Sequence, residues 1–250
     1  MRLPDAFLTA PIAHRGLHRP GVPENSLAAA QAAIDAGYGI ELDIQPAGDQ
    51  AVVFHDYDLR RLTGTEGFIA ALEPAALAGR RLLGTDHPIP TLQQFLDLVG
   101  GRVPLLIEIK DQDMRLGPRI GDLHRRVADA LRGYDGPVAV MSFNPHVVEA
   151  FHRIAPDIPV GLTTCSFPEK DWSAVPPERR SHLAAIADFD QSGACFVSHD
   201  KNDLKHPRID ALKAQGVPIL CWTVRSPDEE ALARRVAHNI TFEGYPAAAA

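Results

Sequence analysis

The chain has 250 residues, 45% of them hydrophobic, which is enough to bury a substantial core and excludes a disordered segment. With 25 Lys and Arg against 32 Asp and Glu, the formal net charge of −7 argues against binding nucleic acid through bulk charge. Pro4 and Asp5 interrupt the stretch where a signal peptide needs an unbroken apolar run, and no run approaches about 18 apolar residues, so neither secretion nor a membrane span is expected.

In chain order, apolar β-rich runs at 11–14, 39–45, 104–110, 137–143, 159–164, 194–199, 218–224 and 239–242 predict eight strands. Helical periodicity lies between most of them, at 26–36, 92–99, 120–131, 146–154, 207–215 and 227–237. Ser26 before an Ala-rich run and Ser226-Pro227-Asp228-Glu229 mark helix starts, while Gly37, Gly133 and Gly216 stand where C-caps belong. After the second strand, 51–56 reads as a hairpin return. Alternating βα units without a composition break imply one parallel sheet, and eight of them make an α/β (β/α)8 TIM barrel, a single domain over 1–250. A doubly wound open sheet is the alternative, but no GxGxxG or GxxxxGK follows any strand. Residues 57–90 read as a small insertion over the active-site face, 166–193 as a second excursion, and the terminal alanines 247–250 as a frayed end.

The chemistry concentrates on the second and third strands. Side chains alternate faces along a strand, so Ile40, Leu42 and Ile44 share one side while Glu41 and Asp43 share the other. In a barrel these acids enter the lumen; in an open sheet they are a solvated acidic face. The run Leu105-Leu106-Ile107-Glu108-Ile109-Lys110 repeats the pattern, with Glu108 and Lys110 inward. Glu41, Asp43 and Glu108 together make an oxygen-rich site for a hard divalent cation, Mg²⁺ or Ca²⁺, rather than zinc, although Glu108 and Lys110 alone read equally as a structural ion pair. His14 and His55 each follow an apolar strand. Singly, each reads as a hydrogen-bonded structural residue; beside a metal site the two suit a general base and a general acid, and Arg15 offers a planar fork for phosphate oxygens.

The ordered motifs Ala13-His14-Arg15-Gly16, Pro23-Glu24-Asn25-Ser26, Glu41-Leu42-Asp43-Ile44, His55-Asp56, Ile89-Pro90-Thr91-Leu92, Ile107-Glu108-Ile109-Lys110 and Trp222-Thr223-Val224 resemble the glycerophosphodiester phosphodiesterase family. The resemblance implies metal-dependent hydrolysis of a small-molecule phosphodiester to sn-glycerol 3-phosphate and an alcohol. In it, Glu41, Asp43 and Glu108 hold the cation, His14 and His55 are the acid–base pair, and Arg15 and Lys110 lie on the phosphate. The substrate's own glycerol hydroxyl is the implied nucleophile. Trp222 reads either as a substrate-stacking residue or as a packed barrel aromatic. A lysophospholipase D-like activity and a non-catalytic phosphodiester-binding barrel are the alternatives.

Family members end in a closing helix, whereas here Ile240-Thr241-Phe242-Glu243-Gly244-Tyr245-Pro246 runs into four alanines. A truncated or missing eighth helix is therefore expected, with residues 3–8 or a partner chain covering the exposed strand; assembly as a homo-oligomer is left open. His199, Asp200 and Lys201 read as a solvated polar loop, with a place lining the active-site mouth as the alternative. Cys165, Cys195 and Cys221 form no CxxC pair and read as small buried hydrophobes in a reducing, cytoplasmic setting.

Overall fold

All eight predicted strands form, and the last pairs with the first. In a computed structural model, which describes residues 1–248, they are β1 (Ile12–Ala13), β2 (Gly39–Ala47) with its antiparallel return β3 (Gln50–Val53), β4 (Leu105–Ile109), β5 (Val138–Ser142), β6 (Val160–Thr164), β7 (Phe196–Asp200), β8 (Ile219–Val224) and β9 (Asn239–Phe242). Apart from β3 every neighbouring pair is parallel, and β1 pairs with both β2 and β9, so the sheet is a closed (β/α)8 barrel and not a doubly wound one.

The helices are α1 (Ala6–Thr9), α2 (Leu27–Asp35), α3 (Arg60–Thr63), α4 (Pro74–Ala78), α5 (Leu92–Val99), α6 (Leu123–Ala130), α7 (Pro145–Ile154), α8 (Pro177–Ala184), α9 (Pro207–Ala214) and α10 (Pro227–Ala233). Their starts follow local chemistry. The side chains of Ser26, Thr91, Asn144 and Ser226 each accept a backbone N–H of the first turn, and Pro145 and Pro227 stand where a missing N–H costs nothing. Helix α8 was not expected: its one buried residue is Leu183, so it carries no apolar stripe to read.

Strand alternation divides the interior as the sequence predicts. Ile40, Leu42, Ile44, Leu105, Ile107 and Ile109 join the main core between sheet and helices. The opposite parity fills the lumen, where Ile12, Leu106, Ala139, Met141, Phe196 and Leu220 cluster with Leu3 and Phe7. Gly161 makes room for this layer, since a Cβ there would lie 2.4 Å from the Phe196 ring. Helix α1 is thus a plug at the N-terminal end of the barrel, tied down by Asn239, whose Nδ2 donates to the Phe7 carbonyl at 2.8 Å.

Contrary to the expectation, residues 3–8 do not cover the outside of the last strand, because Leu3 and Phe7 are spent on the lumen. Among the described residues no helix follows β9. The tail itself covers the strand: Phe242 packs edge-on against Tyr38 and Tyr245, and the Tyr38 hydroxyl donates to the Ala247 carbonyl at 2.9 Å. Ala247 is buried rather than frayed; residues 249–250 of the expected frayed end lie outside the described residues. The insertion 57–90 packs α3 and α4 around its own cluster, including Leu59, Leu62, Leu72, Leu77 and Leu82, against Val52 and Phe54.

Candidate active site

At the C-terminal ends of the strands lies a cavity of about 740 Å³. All eight residues singled out in the sequence line it: His14, Arg15, Glu41, Asp43, His55, Glu108, Lys110 and Trp222. This is the end at which a parallel barrel presents its variable loops.

Glu41, Asp43 and Glu108 are buried, and one carboxylate oxygen of each lies within 4.8 Å of the others. The register makes this possible, because Asp43 on β2 sits directly opposite Glu108 on β4. Burial, with the charges of Asp43 and Glu108 beside it, pushes the Glu41 carboxyl well above its usual range. Burial also pushes Asp43 upward, but Lys110, His55 and Arg15 outweigh it and hold Asp43 well below the usual range. Lys110 reaches Asp43 at 2.7 Å and also bonds Glu108; burial disfavours its charge, yet the two carboxylates hold it protonated. Three buried carboxylates converging on one point, oxygen donors only, are a set that a hard divalent cation suits, so these residues fit such an ion.

The first-strand motif is held in an unusual backbone conformation. Arg15, Gly16 and Asn25 all have positive φ, and a Cβ on Gly16 would lie 2.9 Å from Ala29, so only glycine fits that turn. The turn directs the Arg15 amide to Glu41 Oε2 at 3.0 Å and its guanidinium to Glu24 at 2.7 Å, while Nε, 3.3 Å from Asp43, has no hydrogen-bond partner among the described residues. Asn25 Nδ2 donates to Asp43 at 2.8 Å. Glu24 and Asn25 therefore orient Arg15 and Asp43 from the following loop.

Each histidine is anchored by a carboxylate. His14 Nδ1 lies 2.6 Å from Glu243 and its Nε2 4.0 Å from Glu41; His55 Nδ1 lies 2.6 Å from Asp56. The hydrogen bond from His14, above all, holds Glu243 far below the usual carboxylate range. Burial pushes Asp56 up, but hydrogen bonds from His55 and Arg61 overcome this and leave it well below that range. Burial lowers the His14 pKa against the pull of Glu243. Each anionic carboxylate thereby favours the proton on Nδ1 of its ring and leaves Nε2 for chemistry.

Sequence reasoning missed several of these partners. Asp56 is the neighbour of His55 in the chain, so the adjacent pair was the available signal. Glu243 lies beyond β9 with the parity of the inward Asn239 and Thr241, a weaker cue. Arg61 of α3 bonds both Asp56 and Glu24, and Arg225 holds Glu243 Oε1 at 2.7 Å. Trp222 lines the cavity with its Nε1 donating to the Ser198 carbonyl and its ring 5.4 Å from that of Phe143. His199 is not in a solvated loop: it points out of the lumen from β7, fully buried, with Nδ1 2.7 Å from the Thr164 hydroxyl. Asp200 does line the cavity, and Lys201 pairs with Glu229. Cys165 and Cys221 are buried with thiols pushed up to about 12 by burial, and Cys195 is partly buried.

No curated protein matches the chain. Solved structures resemble it in fold. A phosphodiesterase from Oleispira antarctica, in complex with the product sn-glycerol-3-phosphate, superposes with a TM-score of 0.78 at 22% identity over 96% of this chain and 95% of that one. A glycerophosphodiester phosphodiesterase from Parabacteroides distasonis gives 0.72 at 23% over 92% and 91%, and one from Thermotoga maritima 0.69 at 20% over 93% and 94%. The model of the glycerophosphoryl diester phosphodiesterase family matches residues 14–239, from His14 to the start of β9. The chain therefore belongs to the glycerophosphoryl diester phosphodiesterase family and is a phosphoric diester hydrolase.

Proposed function

We propose that the protein hydrolyses glycerophosphodiesters to sn-glycerol 3-phosphate and an alcohol, with Mg²⁺ or Ca²⁺ held by Glu41, Asp43 and Glu108. The observation that carries this reading is the placement of two carboxylate-anchored histidines around three buried acids in one cavity. When bound, the cation supplies positive charge to the phosphate and makes a neighbouring hydroxyl more acidic. Arg15 and Lys110 neutralise the remaining charge on the non-bridging oxygens.

His14 is the base. With Glu243 on Nδ1, its Nε2 takes the proton from the substrate's glycerol 2-hydroxyl as that oxygen bonds to phosphorus. The bond from phosphorus to the head-group oxygen breaks, and protonated His55 gives its proton to the departing alcohol. The His55 side chain is 32% exposed against 13% for His14, which favours the acid on the side where the alcohol leaves. Water then opens the cyclic phosphate: His55 removes its proton, and His14 returns one to the glycerol oxygen.

The test is release of glycerol 3-phosphate from a panel of diesters, with and without added cation. Chelation should abolish turnover and Mg²⁺ or Ca²⁺ restore it; full activity of the metal-stripped protein overturns the metal reading. An analogue of glycerophosphocholine lacking the 2-hydroxyl should react at least about 10³-fold more slowly, because intramolecular attack is lost. Equal single-turnover rates, with no cyclic phosphate by phosphorus NMR, would replace substrate-assisted attack by attack of water. A lysophospholipase D-like activity is a second reading, favoured by Phe68 and Met114, which line the cavity yet are 64% and 52% exposed. Lysophosphatidylcholine in the same panel tests it.

A further inference from the structure

A second cluster of metal-ligating atoms lies on the far side of the His14 ring from the three acids. His14, His18 and Glu243 each offer one ligand atom, all within 4.8 Å of one another. Glu243 Oε2 lies 2.6 Å from His14 Nδ1 and 3.5 Å from His18 Nε2, while Arg225 engages the other carboxylate oxygen. His18 Nε2 is shielded from solvent and has no hydrogen-bond partner among the described residues, although a nitrogen so placed ordinarily finds one. The loop after β1 holds the ring there, with the His18 amide donating to the Gly16 carbonyl at 2.9 Å.

We propose that His14, His18 and Glu243 form a Zn²⁺ site whose occupation switches the enzyme off. The donor sets of the two clusters differ in kind. Three carboxylates suit a hard cation, whereas two imidazoles and one carboxylate, with a fourth position open, are a set that selects zinc over Mg²⁺ or Ca²⁺. Bonds of about 2.0–2.1 Å in tetrahedral geometry separate ligand atoms by roughly 3.3 Å. The His18 to Glu243 spacing already matches that value. The His14 to Glu243 contact has to open by roughly 0.7 Å, a side-chain adjustment.

The inhibition follows from proton bookkeeping on one ring and rests on His14 being the base. A neutral imidazole carries one proton. In the metal-free dyad it sits on Nδ1, facing Glu243, and Nε2 has the free lone pair. Zinc takes the Nδ1 lone pair, so the proton moves to Nε2, and Nε2 can no longer accept one from the substrate. Glu243, now a zinc ligand, ceases to orient the ring. The resident cation at Glu41, Asp43 and Glu108 need not be displaced.

The experiment keeps the two sites apart by working in saturating Mg²⁺ or Ca²⁺. Co²⁺ added as a zinc surrogate should give the visible absorption of a tetrahedral site, and Zn²⁺ should bleach it; this needs no substrate. Zn²⁺ should inhibit diester hydrolysis by at least tenfold. His18→Asn should keep basal kcat, lose the cobalt band, and raise the zinc concentration for half-inhibition by at least tenfold; His18→Gln serves if the first variant does not fold. Inhibition of the His18 variants at the wild-type zinc concentration overturns the proposal, since zinc would then act at the carboxylates. So does absence of the tetrahedral band in the wild type. A His18-dependent band in a protein that hydrolyses no glycerophosphodiester leaves the metal site standing and instead overturns the proposed function.

Discussion

The side chains at the centre of the cavity are few, and their roles separate by what each substitution leaves behind. Replacing His14 or His55 by Ala should lower kcat by about 10²-fold or more, with little change in thermal midpoint, because neither ring belongs to the apolar core. Loss of folding with normal specific activity in the surviving fraction would mark them as structural. Glu243→Gln is the sharper probe. It keeps the shape but can offer an amide N–H to Nδ1, which stabilises the tautomer with the proton on Nε2. We expect a kcat loss of about 10²-fold or more with KM nearly unchanged, since a base in the wrong tautomer binds substrate but does not turn it over. Steady-state kinetics on glycerophosphocholine distinguish this from a KM effect, which would place Glu243 in binding.

Among the elements, α3 has an influence out of proportion to its four residues. Its Arg61 reaches Asp56, which orients His55, and Glu24, which orients Arg15. Arg61→Met should therefore lower kcat/KM by about tenfold through misplaced partners, although Arg61 itself is not placed on the substrate. The same contacts set an acid response. The folded-state pKa of Asp56 is depressed, so its contribution to stability is full above the unfolded carboxylate value of about 3.9 and is lost as pH falls below it. Asp56→Asn should flatten that part of the acid-unfolding curve; an unchanged acid limb would show the pairing to be energetically silent. Such cross-element contacts mark where sequence reading stops. The alternation on β2 and β4 was legible because one face is wholly aliphatic and the other carries Glu41, Asp43, Glu108 and Lys110, so parity alone brings the acids together. The role of α3 was not, because a four-residue helix carries no periodicity and Arg61 meets Glu24 across 37 residues. The covering of β9 was equally hidden: it depends on Tyr38 meeting the Ala247 carbonyl 209 residues away, and no local pattern encodes that.

At the scale of the molecule, the barrel is stoppered at one end and reactive at the other, and the two should be separable. Phe7 is fully buried among lumen side chains and does not line the cavity, so Phe7→Ala should cost about 3–5 kcal/mol in urea unfolding while the folded fraction keeps wild-type kcat. A matching loss of kcat would reveal that the plug holds the site in register. Conversely, Mg²⁺ or Ca²⁺ at one hundred times its Kd should stabilise the fold by about 2.7 kcal/mol, and Glu41→Gln with Glu108→Gln should remove that gain. The His14–Glu243 pair joins the two ends of the chain, because it straddles the seam where β1 meets β9, 229 residues apart. Of all the strand pairings this one closes the longest loop, so the entropy of bringing its ends together is the largest. A polypeptide still emerging from the ribosome, or one refolding with its last strand unpaired, has His14 without its Glu243 partner, on which the proposed base role depends. Turnover should consequently return after secondary structure and, in a Trp222→Phe background that leaves Trp172 as the sole tryptophan, its fluorescence have recovered, so that catalysis times the final zipping of the seam and an unfinished barrel is a silent one.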